Sequence, residues 1–215
     1  MLHIFSQSSL VFIDKDFMEN KYTIVEENPS LFWTETAEAI GGVFTTRMQE
    51  QRFGDYYFDL HLLQISKPHR GLIIELNSCF LIAPNILNEY HLDDLRIESF
   101  IPDQVSFFLH YFPKGVYDKI FWHNKPHSGF KDFDKVIGFE TNRLWELRKF
   151  FANNAVRDLI QNDFYSRFNV RYENEMLIVK NQSTQLILNK EILLAEYQKF
   201  VLFIDGLIDA KLIKL

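Results

Sequence analysis

Between Lys190 and Asp209, large apolar residues recur at helical intervals. Leu193, Tyr197, Phe200, Ile204 and Leu207 follow one another at spacings of 4, 3, 4 and 3, which lines them along one side of an α-helix. Asn189 stands before this segment as an N-cap, since its short side chain can accept from the free amides of the first turn. A helix with so wide an apolar stripe cannot stand in water alone. It must lie over another layer, and the rest of the chain has to supply that layer.

Most of the remaining signals are strand-like. "VFTTRM" from Val43 is rich in β-formers. In "YYFDLHLLQI" alternation places Tyr56, Phe58, Leu60 and Leu62 on one face. "SKPHRG" is a turn, and "LIIELN" from Leu72 returns, so Tyr56–Ile65 and Leu72–Asn77 read as a hairpin that "CFLIAP" continues. "VSFFLHYF" and "VYDKIFW" read as strands in a middle region, 85–139, punctuated by Pro102, Pro113 and Pro126. "FNVRY", "EMLIVK" and "TQLIL" read as three more.

Helices frame these strands. Pro29 to Ile40 is one: Asn28 caps it, Pro29 suits its first position, and Trp33, Ala37 and Ile40 share a face. Gly41-Gly42 ends it, because glycine enters the left-handed region without strain. "ETNRLWELRKFF" is a second helix, with Leu144, Leu147 and Phe151 on one side. "NNAVRDLIQNDF" is a third, capped by Asn153 or Asn154. The fold class is therefore α+β: a mostly antiparallel sheet packed by an N-terminal helix and two or three C-terminal helices, in one domain over 1–215. "LLQISKPHRGLIIELN" and "MLIVKNQSTQLILN" echo each other as strand, turn, strand, but the echo does not divide the chain.

Two blocks resemble a known class. "WTETAEAIGGVF" with "HLLQISKPHRGLIIEL", and "FETNRLWELRKFFANNAVRDLIQNDFYSRFNVRYENEMLIV", are similar to uncharacterised bacterial α+β domains that have no assigned activity. The resemblance implies a bacterial source and a helix–glycine pair–hairpin order, and it transfers no site residue. Many of those domains follow transmembrane helices, and this chain departs from that pattern.

Composition narrows the function. The net charge of −6 and the absence of any Lys/Arg run argue against nucleic acid and against anionic lipid. No stretch reaches the ~18 apolar residues of a membrane span, and "MLHIFSQSSLVFIDKD" lacks the basic start of a secretory signal. The one cysteine, Cys79, permits no intrachain disulfide, which fits a cytoplasmic setting. Its apolar flanks mark it as a buried thiol. "NQS" at Asn181 is a formal glycosylation triplet that a cytoplasmic chain does not use. The 22 phenylalanines point to a large aromatic core, or to an aromatic partner surface.

Chemistry is sparse. In "FWHNKPHSGFKDFDK", His123 and His127 stand four apart with Asp132 and Asp134 following, and zinc can use two histidines and a carboxylate, with Asp132 or Asp134 completing the site. Pro126 disfavours helix between the histidines, so the spacing loses its geometric meaning and the segment reads as a decorated loop. His61 and Asp59 share a strand face and form a possible acid–base dyad; the plainer reading is a polar stripe. His110, among Phe107, Phe108, Tyr111 and Phe112, reads as a buried histidine with a backbone partner. No phosphate loop, nucleophile elbow or His-Glu-x-x-His pair is present. The charges of the closing helix (Glu196, Lys199, Asp205, Asp209) read as a solvated face. The expectation is a non-enzymatic binding protein, regulatory or toxin-neutralising, whose partner is a protein and which needs no cofactor, with a homo-oligomer left open. The alternative is a metal-dependent hydrolase using the His123/His127 loop.

Overall fold

The computed structural model describes residues 23–25, 28–53, 56–82, 90–115, 126–163 and 166–215. Ten strands among them form one sheet, in the chain order β1 (Thr23–Val25), β2 (Val43–Phe53), β3 (Tyr56–His69), β4 (Leu72–Ile82), β5 (Tyr90–Leu92), β6 (Arg96–Pro102), β7 (Leu109–Pro113), β8 (Ile137–Thr141), β9 (Ser166–Glu173) and β10 (Met176–Ser183). The helices are α1 (Pro29–Ile40), α2 (Lys131–Val136), α3 (Leu144–Ala152), α4 (Asn154–Asn162) and α5 (Lys190–Asp209). Every pairing described is antiparallel. This is the α+β architecture that the patterning implies.

The sheet runs β2–β3–β4–β6–β10–β9–β7–β8, and the far end of β4 also pairs β5, which carries β1. β4 holds this arrangement together. "LIIELNSCFLI" is one strand of eleven residues, long enough for its first half to meet β6 and its second half to meet β5.

Helix ends follow local chemistry. Asn28 Oδ1 accepts from Ser30 N at 3.0 Å at the start of α1. At its end Gly41 takes φ +66, the Gly41 amide donates to Glu38 O and the Gly42 amide to Ala37 O. That pair of bonds is a Schellman motif. A Cβ on Gly42 would stand 2.9 Å from Ile65 Cγ2, so the glycine lets the chain pass directly over β3. Asn153 caps α4 through Ala155 N, and Asn189 caps α5 through Ile192 N.

The core lies between the helices and one face of the sheet. Leu193, Phe200, Ile204 and Leu207 of α5 are fully buried and Tyr197 nearly so, which confirms the apolar stripe as an internal face. Phe203 stacks on Phe168 of β9 at 4.4 Å and meets Phe150 of α3 edge-on at 5.2 Å. Phe151 packs on Phe133 and Phe139. Many of the phenylalanines are thus core residues. Along β3 the main core takes Leu63 and Ile65, while Leu60 and Leu62 join Cys79 and Leu81 in a second small cluster on the opposite side.

Several expectations are corrected. The turn read in "SKPHRG" narrows to Arg70-Gly71, because β3 stays paired with β4 through His69. "TQLIL" is not a strand: β10 stops at Ser183, whose hydroxyl accepts from Gln185 N and turns the chain toward the α5 cap. The strand–turn–strand echo therefore fails, since only its first copy is a hairpin. "VSFFLHYF" is strand only from Leu109. His110 is exposed, because alternation in β7 turns Leu109 inward and its neighbour out. The last part of "FWHNKPHSGFKDFDK" is the short helix α2 and not loop. "VYDKIFW" lies outside the described residues.

Candidate functional site

Of the expected metal or catalytic set, His123 lies outside the described residues. His127 is exposed. Asp134 accepts from the amides of Ser128 (2.9 Å) and Gly129 (3.2 Å), so its carboxylate closes the turn that precedes α2. Asp132 pairs with Lys135 one helical turn on, at 2.8 Å, and that bond holds its carboxyl below the usual carboxylate range. The two aspartates are thus drawn to separate local partners. Among the described residues no group of three or more His, Cys, Asp or Glu gathers as a metal site would. His61 stacks flat on Phe80 (4.6 Å, 9°), while Asp59 is exposed.

Three other constellations do assemble. The first is buried. Lys199 of α5 reaches Asp163, just past α4, at 2.7 Å, and Glu196 at 2.5 Å. Glu196 is fully buried and Asp163 is 7% exposed. Burial works against the Lys199 ammonium, but its bonds to the two carboxylates outweigh this and raise its pKa. Beside this group lies Tyr111 of β7, whose hydroxyl oxygen accepts from Phe168 N at 3.1 Å. Burial pushes the Tyr111 phenol well above its ordinary value; the bond from Phe168 opposes the shift, and the nearby charge of Asp163 adds to it. The reading of Glu196 as solvated is overturned. It follows Leu193 by three residues and precedes Phe200 by four, so it belongs to the buried face of α5. That spacing was the available signal.

The second constellation clasps a turn to α5. His69 Nε2 is 2.7 Å from Asp205 Oδ1, and Arg70 Nη1 bridges Asp205 (3.2 Å) and Asp209 (2.9 Å). Bonds to Asp209 and then Asp205 raise the Arg70 pKa. Tyr197 is also raised, first by burial and then by Asp205. The third involves Cys79. Its thiol donates to Asp93 Oδ2 at 3.5 Å, and Arg96 stands 3.9 Å from the same carboxylate oxygen.

The surface offers a different kind of feature. β2 is an edge strand of eleven residues, and among the described residues it pairs with β3 alone. From Val43 to Glu50 its side chains are exposed on both faces of the sheet, save the half-buried Phe44. Its register with β3 runs unbroken from Val43↔Ser66 to Phe53↔Tyr56.

Comparison with protein-family models, curated proteins and solved structures finds no match. No helix among the described residues is long and apolar enough to cross a membrane.

Proposed function

We propose that the protein acts by binding another polypeptide, without catalysis, and that it does so by strand addition at β2. The observation that carries this reading is the edge itself. An unpaired strand edge presents a row of amides and carbonyls ready to pair with an extended segment. Proteins that must avoid such pairing blunt their edges with charged side chains, lysine above all, or with proline, a bulge or a short strand. β2, "VFTTRMQEQRF", is long and has no lysine, proline or bulge; its three charges, Arg47, Glu50 and Arg52, are of both signs and leave Val43 to Thr46 without one.

The titratable groups support binding over catalysis. A general acid or base works best with a pKa near the working pH. Tyr111 and Lys199 are both moved the other way, upward and away from neutrality. Their partners are structural. Regulation or neutralisation of a toxin suits a protein that works through contact alone, and a single cysteine, which permits no intrachain disulfide, suits a cytoplasmic setting.

Amide hydrogen exchange on the dilute full-length chain tests this reading. Alternate β2 amides, those pointing away from β3, are expected to exchange far faster than the amides of β3 and β4. Uniform protection along β2 in the monomer would mean that the edge is already covered, and the reading fails.

A further inference from the structure

We infer that the polypeptide β2 takes is a second copy of this chain, paired antiparallel about a two-fold axis normal to the sheet and centred on Met48. The inference rests on the reading of β2 as an open edge, and it adds the identity and register of the occupant.

The edges of the sheet are unequal. β8 is five residues and β1 three, both short in the way protected edges are. β2 is long and unbulged, and from Val43 to Glu50 it is exposed on both faces save the half-buried Phe44, so no second layer among the described residues obstructs an added strand there. Its charge also differs from the rest. The chain carries −6, yet β2 holds two arginines and one glutamate, so two copies can meet here away from their shared negative charge.

Symmetry then limits the register. Facing residues of an antiparallel pair share a sheet face, and side chains alternate with period two. About a two-fold normal to the sheet, the numbers of a facing pair must therefore sum to an even number. A centre at Arg47 or Glu50 sets like charges opposite each other, which is unfavourable. A centre at Gln49 sets Met48 against the partner's Glu50. Centres at Thr46 or Gln51 set no like charges opposite, but they pair only 43–49 or 49–53 of the strand. Met48 is the middle residue of β2, so a centre there alone pairs all eleven residues, and it sets that side chain, 67% exposed, on its own mate. Arg47 then faces the partner's Gln49, and Thr46 faces the partner's Glu50. The one repulsion left is diagonal, between Arg47 and the partner's Arg47, at roughly 7–8 Å. Salt screens such a pair, so the dimer is expected to tighten as ionic strength rises. One strand pair is small beside the ~2,000 Å2 or more of obligate interfaces, so the dimer depends on concentration.

Thiol trapping tests the register in the full chain. Met48→Cys puts two thiols on the axis. Thr45→Cys puts them about six residues apart along the strand, roughly 20 Å. Mild oxidation, or a short thiol-to-thiol linker, is expected to give covalent dimer from Met48→Cys and none from Thr45→Cys. No dimer from Met48→Cys, or equal yields from both, overturns the proposal. So does an unmodified chain that stays monomeric at high concentration. If its alternate β2 amides still exchange freely, only the second copy is ruled out and the open edge stands; if they are protected in the monomer, both fall.

Discussion

Lys199 Nζ lies 2.7 Å from Asp163 Oδ2, and the same ammonium reaches the fully buried Glu196. One cation thus neutralises two carboxylates in the seam between α4 and α5. Lys199→Met would leave both carboxylates without it. Breaking a buried pair costs about 3–5 kcal/mol because a charge is left uncompensated. Lys199 is itself partly exposed, 27%, and water reaching the site screens the loss. A loss at the low end of that range is expected from urea unfolding. A variant as stable as the parent would mean that the Lys199 bridge does not hold the seam together.

The same seam sets a pH dependence. Lys199 and Tyr111 both have folded-state pKa values above their unfolded ones, so the folded state holds these protons more tightly. Their contribution is fully present below about pH 10, where neither group titrates in the unfolded chain. It is lost as pH rises through the folded values. Unfolding free energy from these groups is therefore expected to be flat through neutrality and to fall in alkali. Tyr111→Phe should make that alkaline fall shallower, as read from denaturation midpoints across pH. An unchanged alkaline profile in Tyr111→Phe would count against the assignment.

Phe200 is fully buried in the stripe of α5, facing Phe168 at 6.5 Å. Phe200→Ala is expected to cost about 3–5 kcal/mol, the usual loss for a core phenylalanine. Guanidinium unfolding followed by circular dichroism reads it. If the variant melts like the parent and only its association changes, the helix is an interface and its placement over the sheet is wrong.

Asn181 sits on β10 with no exposed surface, and neither polar atom of its side chain has a hydrogen-bond partner among the described residues. Burial also keeps it from serving as a glycan acceptor in the folded chain. A buried polar group left unpaired costs about 1–3 kcal/mol. Asn181→Leu is close in shape and apolar, so a rise in melting temperature of several degrees is expected for a chain of this size. A fall would show that the amide makes a bond that matters.

The elements read from sequence are those whose own residues specify them. α1 and α5 carry caps, periodic apolar faces and, for α1, a glycine stop, and all of these are local. One hairpin, β3 with β4, is legible from alternation and turn residues, whereas the second strand–turn–strand reading fails past Ser183. Tertiary partners are not local, and the errors follow from that. The charge of Glu196 points to solvent, though its spacing from Leu193 and Phe200 puts it inside. The aromatics around His110 point to the core, though alternation in β7 turns it out. Asp132 and Asp134 have the chemistry of metal ligands, but Lys135 and the Ser128–Gly129 amides engage them. That β2 pairs with β3 alone among the described residues could not be read at all, because an edge is defined by what does not pair with it.

Sedimentation velocity of the full-length chain and of Met48→Lys, over a wide concentration range, tests the claim about β2 most directly. Lysine at an exposed position should leave the fold and melting temperature unchanged. It would set two ammonium groups face to face on the two-fold axis, where like charges directly opposite are destabilising. The parent is expected to pass from monomer to dimer with concentration, and Met48→Lys to remain monomeric throughout. A Met48→Lys chain that dimerises as the parent does, or a parent that never leaves the monomer, would contradict it.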